Sequence, residues 1–83
     1  MNLDILVVDD ERDIRELVAG VLEDEGYEAR TAADSDSALE AIATRRPSLV
    51  LLDVWLQGSR LDGLDVLDEI KRRDPSLPVL VIS

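Results

Sequence analysis

The chain of 83 residues contains 46% hydrophobic and 34% charged residues, a balance that suits one small globular domain and excludes disorder by composition. Nineteen acidic residues against nine basic ones give a formal charge of −10, which repels nucleic-acid phosphates and anionic lipid headgroups. Cys and His do not occur, which excludes disulfides, Cys-based zinc sites and imidazole catalysis and leaves carboxylates, hydroxyls and backbone groups for any chemistry.

The beginning of the chain predicts a buried strand followed by an amphipathic helix. The segment from Leu3 to Val8 is apolar except for Asp4 and is too short for a helix, as expected of a strand buried on both faces. The helix that follows is predicted to end at Gly26, because glycine suits the left-handed conformation past a helix end. Its expected apolar stripe consists of Ile14, Leu17, Val18, Val21 and Leu22.

The middle of the chain predicts a half-exposed edge strand, a second helix and a second buried strand. Residues Tyr27 to Thr31 alternate in polarity, which is typical of an edge strand. Asp34 or Ser35 can cap the helix, and Leu49 to Leu52 has the continuous apolar character of a buried strand. The expected apolar stripe of this helix consists of Ala38, Leu39 and Ile42.

The last part predicts a third helix and a fourth strand. Leu64, Leu67 and Ile70 recur at helical spacing, and the helix is expected to stop before Pro75. Val79 to Ile82 has the composition of another buried strand. Strands and helices therefore alternate as (βα)3β, which predicts an α/β fold: an open parallel sheet with helices on both faces and strand order 2-1-3-4.

Three carboxylates follow neighbouring strands of this sheet. Ligands of such folds bind outside the carboxyl ends of the strands where the order reverses, and those ends carry Asp9, Asp10 and Asp53. Taken alone, Asp10 is more simply explained as a helix N-cap and Asp53 as a turn cap. Together they repel one another unless a cation neutralises them, which predicts a magnesium site. A carboxylate is also a competent nucleophile for phosphoryl transfer.

Four segments together resemble the receiver domains of two-component response regulators. They are Ile5 to Glu11, Leu49 to Asp53, the Asp62-Gly63 step before a helix, and Ser83 after an apolar strand. The resemblance covers the whole chain in order and spacing. It implies a CheY-like, flavodoxin-like fold and a cytoplasmic signalling switch that is not itself an enzyme. Its output would be the regulation of transcription.

The resemblance also implies a role for each residue of the site. Asp53 would be the phosphoacceptor, taking a phosphoryl group from the phosphohistidine of a sensor histidine kinase. Together with Asp53, Asp10 would bind Mg²⁺ directly, Asp9 mostly through water, and Trp55 through its backbone carbonyl. Ser83 matches the switch hydroxyl that hydrogen-bonds a phosphoryl oxygen; a strand-end serine without a role is the plain alternative.

The sequence departs from the general receiver pattern in two ways. The loop near the site is longer than usual and lacks a proline; it is expected to be a mobile surface loop and contains Gln57, Gly58, Ser59 and Arg60. The run from Trp55 to Gly63 resembles the NtrX type of nitrogen-related regulator, in which the receiver precedes an ATPase module and a DNA-binding helix-turn-helix. The family's fourth helix, fifth strand with its lysine, and fifth helix do not occur, so residues 1–83 are expected to be the N-terminal two-thirds of a receiver.

The partners expected of this segment are a sensor histidine kinase and a second copy of the chain. Without a fifth strand, Val79 to Ile82 keeps an uncovered apolar edge, which predicts self-association through that edge or by exchange of elements, most simply as a dimer. Direct contact with nucleic acid is not expected, given the charge. The start lacks a basic region and no apolar run approaches the length of a membrane span, which predicts a cytoplasmic protein without membrane contact.

Two alternative functions remain open at this point. A receiver-shaped interaction module that no longer accepts phosphate would fit the absence of the family's lysine. A phosphohydrolase of the haloacid dehalogenase type would share a strand-end nucleophile at Asp53, but that family has a second Asp where Trp55 stands.

Overall fold

The computed structural model describes residues 3–53 and 62–82, which form four strands and three helices in alternation. The strands are β1 (Asp4–Val8), β2 (Glu28–Ala32), β3 (Leu49–Asp53) and β4 (Val79–Ile82), and the helices are α1 (Arg12–Asp24), α2 (Ser35–Thr44) and α3 (Gly63–Arg73). All pairings between these strands are parallel, in the order β2-β1-β3-β4. The predicted fold class and strand order are therefore confirmed.

Strand β1 lies at the centre of the packing because it has a neighbouring strand on each side and helices above and below. Leu6 and Val8 point to the face that carries α2 and α3, whereas Ile5 and Val7 point to the opposite face, where α1 packs on β1 and β2. All four side chains are buried, as predicted for a strand apolar on both faces. The larger core cluster consists of Leu6, Val8, Ala32, Ala38, Leu39, Val50, Leu52, Val66, Ile70 and Leu77.

The helix ends follow local signals in the sequence. Gly26 adopts a φ of 92° just past α1, and its N–H donates to the Glu23 carbonyl while the Tyr27 N–H donates to the Leu22 carbonyl. This Schellman arrangement confirms the predicted stop. Of the two candidate caps for α2, Asp34 is the N-cap and accepts from the Ser37 N–H at 2.8 Å. None of the helices described here is both long and apolar enough to cross a membrane.

The apolar stripes predicted for the first and third helices are wrong in part. In α1 the buried residue is Ala19, and in α3 Val66 is buried while Leu64 is exposed. Periodicity identified the helices correctly but did not tell which side of a wide stripe faces the sheet. The members of the predicted α1 stripe that are exposed are Ile14, Leu17 and Val21.

An ion-pair network joins three elements at the amino end of the sheet. Arg30 of β2 donates from Nε and Nη2 to the two carboxylate oxygens of Asp4 at 3.0 and 2.9 Å. The same guanidinium donates to the carbonyls of Ala41 and Arg45 at 2.9 and 2.6 Å, so it also satisfies the C-terminal end of α2. The Arg45 side chain adds a contact to Asp4 at 3.1 Å. One arginine therefore holds β1, β2 and α2 together.

The carboxylate of Asp4 is well compensated in this network. Its side chain is only 14% exposed, and burial raises its pKa, but the hydrogen bonds and charges of Arg30 and Arg45 outweigh burial and leave the pKa below its usual value. The ionised form is thus favoured in the folded chain. The pair contributes its full stability above the ordinary pKa of 3.8 and loses it as the pH falls through the lower, folded value.

Replacing Asp4 with Asn should lower the free energy of unfolding at neutral pH by about 1.5–3 kcal/mol, the range for hydrogen bonds to charged groups. The difference from the wild type should shrink as the pH falls below the ordinary pKa of 3.8. Urea denaturation followed by circular dichroism across a pH series measures both effects. Glu16→Gln, which breaks an exposed pair with Arg12, is the matched control and should cost little. Equal losses in the two variants would contradict the assigned importance of Asp4.

Candidate functional site

The carboxyl ends of β1 and β3 lie side by side at one edge of the sheet. Val8 is in register with Leu52, so the next residues, Asp9 and Asp53, leave the two strands at the same level. Asp10 follows directly in the turn into α1. The structure brings the three carboxylates together, as the predicted strand order implies: one oxygen from each lies within 4.8 Å of the others.

Asp9 is firmly held within the acidic cluster, which consists of Asp9, Asp10 and Asp53. Its side chain is buried, with the residue 5% exposed, and its Oδ1 accepts from the Glu11 N–H at 2.9 Å. Its own N–H donates to the Ala32 carbonyl of β2 at 3.1 Å, and its carbonyl accepts from Arg15 at 2.8 Å. Asp9 is therefore fixed through its side chain and through both backbone groups.

Asp10 and Asp53 are half-buried, so both are more accessible than Asp9. The N-cap of α1 is Glu11, and its side chain makes no capping hydrogen bond. The interpretation of Asp10 as a simple N-cap is therefore wrong. Asp53 is the last residue of β3, where a strand ends at the topological switch point.

The electrostatics of the acidic cluster favour a cation. Burial raises the pKa of Asp9; the hydrogen bond from the Glu11 N–H lowers it, the charges of Asp53 and Asp10 raise it further, and Arg15 lowers it. The net shift is upward, so the nearby protein groups do not fully compensate the negative charge. Carboxylate oxygens in this number and spacing are the donors that a hard divalent ion such as Mg²⁺ prefers.

Several predicted site residues lie outside the described part of the chain. They are Trp55, the loop residues Gln57, Gly58, Ser59 and Arg60, and Ser83. Asp62, which is described, caps α3 by accepting from the Asp65 N–H at 2.9 Å. That contact explains Asp62 structurally, as the sequence step before the third helix suggests.

Arg15 is a site residue that sequence reasoning missed. The periodicity of the first helix assigns it to the solvent-facing side, together with Arg12. In the structure it is half-buried, and its guanidinium donates from Nη1 to the Asp9 carbonyl. Its place six residues after Asp9, in the first turn of a helix that starts beside the acids, is the signal that could have revealed it.

Comparison with known proteins identifies the family of this site. The family model described as "Response regulator receiver domain" matches residues 5–83. The nitrogen assimilation regulatory protein NtrX of Azorhizobium caulinodans is 69% identical over 83 residues, which are 100% of this chain and 18% of that protein. The chain therefore spans less than a fifth of the length of this relative.

Solved structures agree in fold. The crystal structure of NtrX from Brucella abortus matches with a TM-score of 0.97 and 70% identity, covering 100% of this chain and 18% of the other. The response regulator TrrA from Thermotoga maritima, crystallised in complex with Mg(2+)-BeF, matches with a TM-score of 0.83 and 38% identity, covering 98% of this chain and 66% of the other. The acidic cluster thus lies in a sheet of the same architecture as these regulators.

Replacing Asp10 with Asn should stabilise the metal-free chain by roughly 1 kcal/mol, because unit charges about 4 Å apart repel one another by that amount even in water. The same change should remove most of the stabilisation that Mg²⁺ gives to the wild type. Urea denaturation with EDTA and with Mg²⁺ measures both effects. Asp68→Asn removes one charge from an exposed position of α3 and should leave the response to Mg²⁺ intact. Identical responses from wild type and Asp10→Asn would rule out a metal site that uses Asp10.

Proposed function

The chain belongs to the response regulator receiver family and its relatives include NtrX regulators, and from this premise we propose that Asp53 accepts a phosphoryl group from a sensor histidine kinase. The observation that carries the proposal is the acidic cluster, in which the three acids at the carboxyl ends of β1 and β3 offer oxygens within 4.8 Å of one another. Phosphorylation of Asp53 would switch a downstream output that regulates transcription. The segment is a signalling module, and it is not proposed to be an enzyme in its own right.

The choice of Asp53 as acceptor is supported by access as well as by the family pattern. Asp9 is buried and one of its oxygens is engaged by the Glu11 N–H, so it is poorly placed to attack a donor that arrives from solvent. Asp53 is half-buried at the end of a strand. Its carboxylate oxygen would attack the phosphorus as the bond from phosphorus to the histidine nitrogen breaks, and the nitrogen would keep the bonding electron pair.

The donor set fits Mg²⁺ as the cofactor of this transfer. The negative charge of the cluster opposes an incoming phosphoryl group. Burial is the largest cause of the raised pKa of Asp9, and the charges of Asp53 and Asp10 raise that pKa further. When bound, Mg²⁺ would supply the positive charge that offsets this repulsion. Asp10 and Asp53 would bind it directly, Asp9 through water, and the Trp55 carbonyl would complete the set. The relative TrrA was crystallised in complex with Mg(2+)-BeF, which supports the choice of Mg²⁺ here.

The remaining roles and the extent of the domain are proposed from the family pattern. The Ser83 hydroxyl would hydrogen-bond a phosphoryl oxygen, and the loop of Gln57 to Arg60 would lie near the site. Because the chain covers 66% of the TrrA chain, we propose that residues 1–83 correspond to the first two-thirds of a receiver domain. A cytoplasmic location, with no contact of this segment to nucleic acid or membrane, is consistent with the charge of −10.

In the full-length protein, Asp53→Asn should abolish incorporation of phosphoryl groups from acetyl phosphate or from a histidine kinase, because the amide preserves shape but is not a useful nucleophile. Intact mass after incubation with Mg²⁺ measures the product. Asp62→Asn, which removes a carboxylate from the N-cap of α3, is the matched control and should retain incorporation.

Three results would change the proposal. Incorporation that persists in Asp53→Asn and disappears in Asp62→Asn or Asp9→Asn would move the acceptor. Failure of the wild type to incorporate phosphate at all would favour a receiver-shaped interaction module. Release of phosphate from a generic phosphate ester, lost in Asp53→Asn, would instead favour a phosphohydrolase.

We propose further that the 83-residue chain self-associates through the free edge of β4. Leu80 and Val81 are 54% and 41% exposed, and the strand has no charged residue to oppose pairing with another strand. The opposite edge of the sheet, β2, differs because it contains Glu28 and Arg30. A two-fold dimer through β4, or one formed by exchange of elements, would cover the apolar edge.

Replacing Leu80 with Lys should therefore shift the 83-residue chain towards monomer, since a charged side chain on an edge strand opposes strand pairing. Light scattering coupled to size exclusion across a concentration series measures the mass, and circular dichroism checks that the variant is folded. Leu17→Lys changes a similarly exposed leucine on α1 and should leave the association unchanged. A wild-type chain that is monomeric at every concentration would disprove the association.

A further inference from the structure

The side chain of Arg15, near the start of α1, contacts the peptide group between Asp9 and Asp10. It is half-buried, and its Nη1 donates to the Asp9 carbonyl at 2.8 Å across six residues of chain. Arginine remains charged at any pH that the protein tolerates, and its planar guanidinium restricts the direction from which the carbonyl is held. The hydrogen bond therefore keeps a charged donor at every such pH, and its geometry is well defined.

We propose that Arg15 is a positioning residue for the acidic cluster: by holding the Asp9 carbonyl, it fixes the peptide that leads to Asp10 and so directs the Asp10 carboxylate towards Asp9 and Asp53. The inference rests on the proposed function, in which this cluster binds Mg²⁺ for phosphoryl transfer. The peptide group is planar, so fixing the carbonyl of Asp9 also fixes the direction of the N–H of Asp10 and the position of its Cα, from which the side chain departs.

The other contacts of Asp9 do not replace this one. The hydrogen bond from the Asp9 N–H to Ala32 fixes the peptide that precedes Asp9, and the bond from the Glu11 N–H holds the Asp9 side chain. The Arg15 contact acts on the peptide that follows Asp9, because it holds the carbonyl of Asp9. The orientation of that peptide sets where the backbone carries Asp10, and Arg15 reaches it from the first turn of α1.

Positioning and charge predict opposite effects on Mg²⁺ binding. If the guanidinium acts mainly as a nearby positive charge, its removal should tighten binding, because it repels the cation. If it acts mainly by positioning, its removal should weaken binding, because Mg²⁺ demands near-octahedral geometry from its ligands. Loss of a residue that orients a metal ligand typically weakens binding by about tenfold or more. The sign of the change therefore separates the two roles.

Arg12 offers a matched control on the same helix. Its side chain is 78% exposed and pairs with Glu16 one turn along α1, at 3.1 Å. Arg12→Met removes the same charge as Arg15→Met and keeps a similar aliphatic length, but it does not touch Asp9. Any effect of net charge on Mg²⁺ binding should appear in both variants, and any effect of positioning should appear only in Arg15→Met.

The experiment uses the intact protein with ¹⁵N-labelled Asp, Glu and Arg. In EDTA, NMR relaxation measures the order of the Asp10 and Glu11 amides and of the arginine Nε–H groups. Mg²⁺ titration by calorimetry then gives the affinity of wild type, Arg15→Met and Arg12→Met at a temperature where circular dichroism shows each to be folded. We expect a restrained Arg15 Nε–H, loosened Asp10 and Glu11 amides in Arg15→Met, and Mg²⁺ binding weakened about tenfold in that variant alone.

Several outcomes would overturn the inference. Tighter Mg²⁺ binding in Arg15→Met would assign the residue a role through charge alone, and unchanged affinity with lower stability would make it merely structural. Should Arg15→Met fail to fold, the wild-type spectrum still decides, since an Arg15 Nε–H as mobile as that of Arg12 excludes positioning. Absence of Mg²⁺ binding by the wild type would remove the proposed function, and the amide measurements in EDTA would still show whether Arg15 orders the turn.

Discussion

The pairing of β1 with β3 is the constraint on which the site depends. Both strands are apolar and buried, and their parallel register brings the residues after Val8 and at the end of β3 to the same level. The register is held by the burial of side chains on both faces, so the acids cannot separate unless core residues leave the core. The hydrophobic packing of the sheet thus forces like charges together. The repulsion between them is a cost of the fold, and a bound cation would offset it.

An aspartate lies at each end of β1, and the pKa values of the two carboxyl groups are shifted in opposite directions. At the amino end, Asp4 meets Arg30 and Arg45, and its pKa is lowered despite burial. At the carboxyl end, Asp9 is buried beside two other acids, and its pKa is raised. Arginines reach the first carboxylate directly, whereas Arg15 reaches only the backbone of the second. The amino end therefore stabilises the fold, whereas the carboxyl end keeps an excess of negative charge.

Patterns local in sequence predicted most of the fold and the cluster. Apolar runs and helical spacing identified all the described strands and helices, and the rule for parallel sheets placed Asp9, Asp10 and Asp53 together. Contacts between distant residues were not accessible in this way. Arg30 and Asp4 are 26 residues apart in the sequence, and no pattern near either residue predicts their contact. The exposed side of the first helix was also misjudged, because spacing shows that a stripe exists but not which part of it meets the sheet.

The fold and the acidic cluster share atoms of Asp9. Asp9 contributes its N–H to the β2 connection and one side-chain oxygen to the Glu11 N–H, while the same carboxylate lies in the acidic cluster. Anything that binds the cluster in the folded chain alone must therefore stabilise the fold, by an amount set by its concentration and affinity. Without such a ligand, a neutral amide beside Asp9 would serve the fold better than a second carboxylate. Residues that lower stability without serving the fold are typical of functional sites. Three carboxylates at one sheet edge are therefore more typical of a functional site than of a purely structural contact.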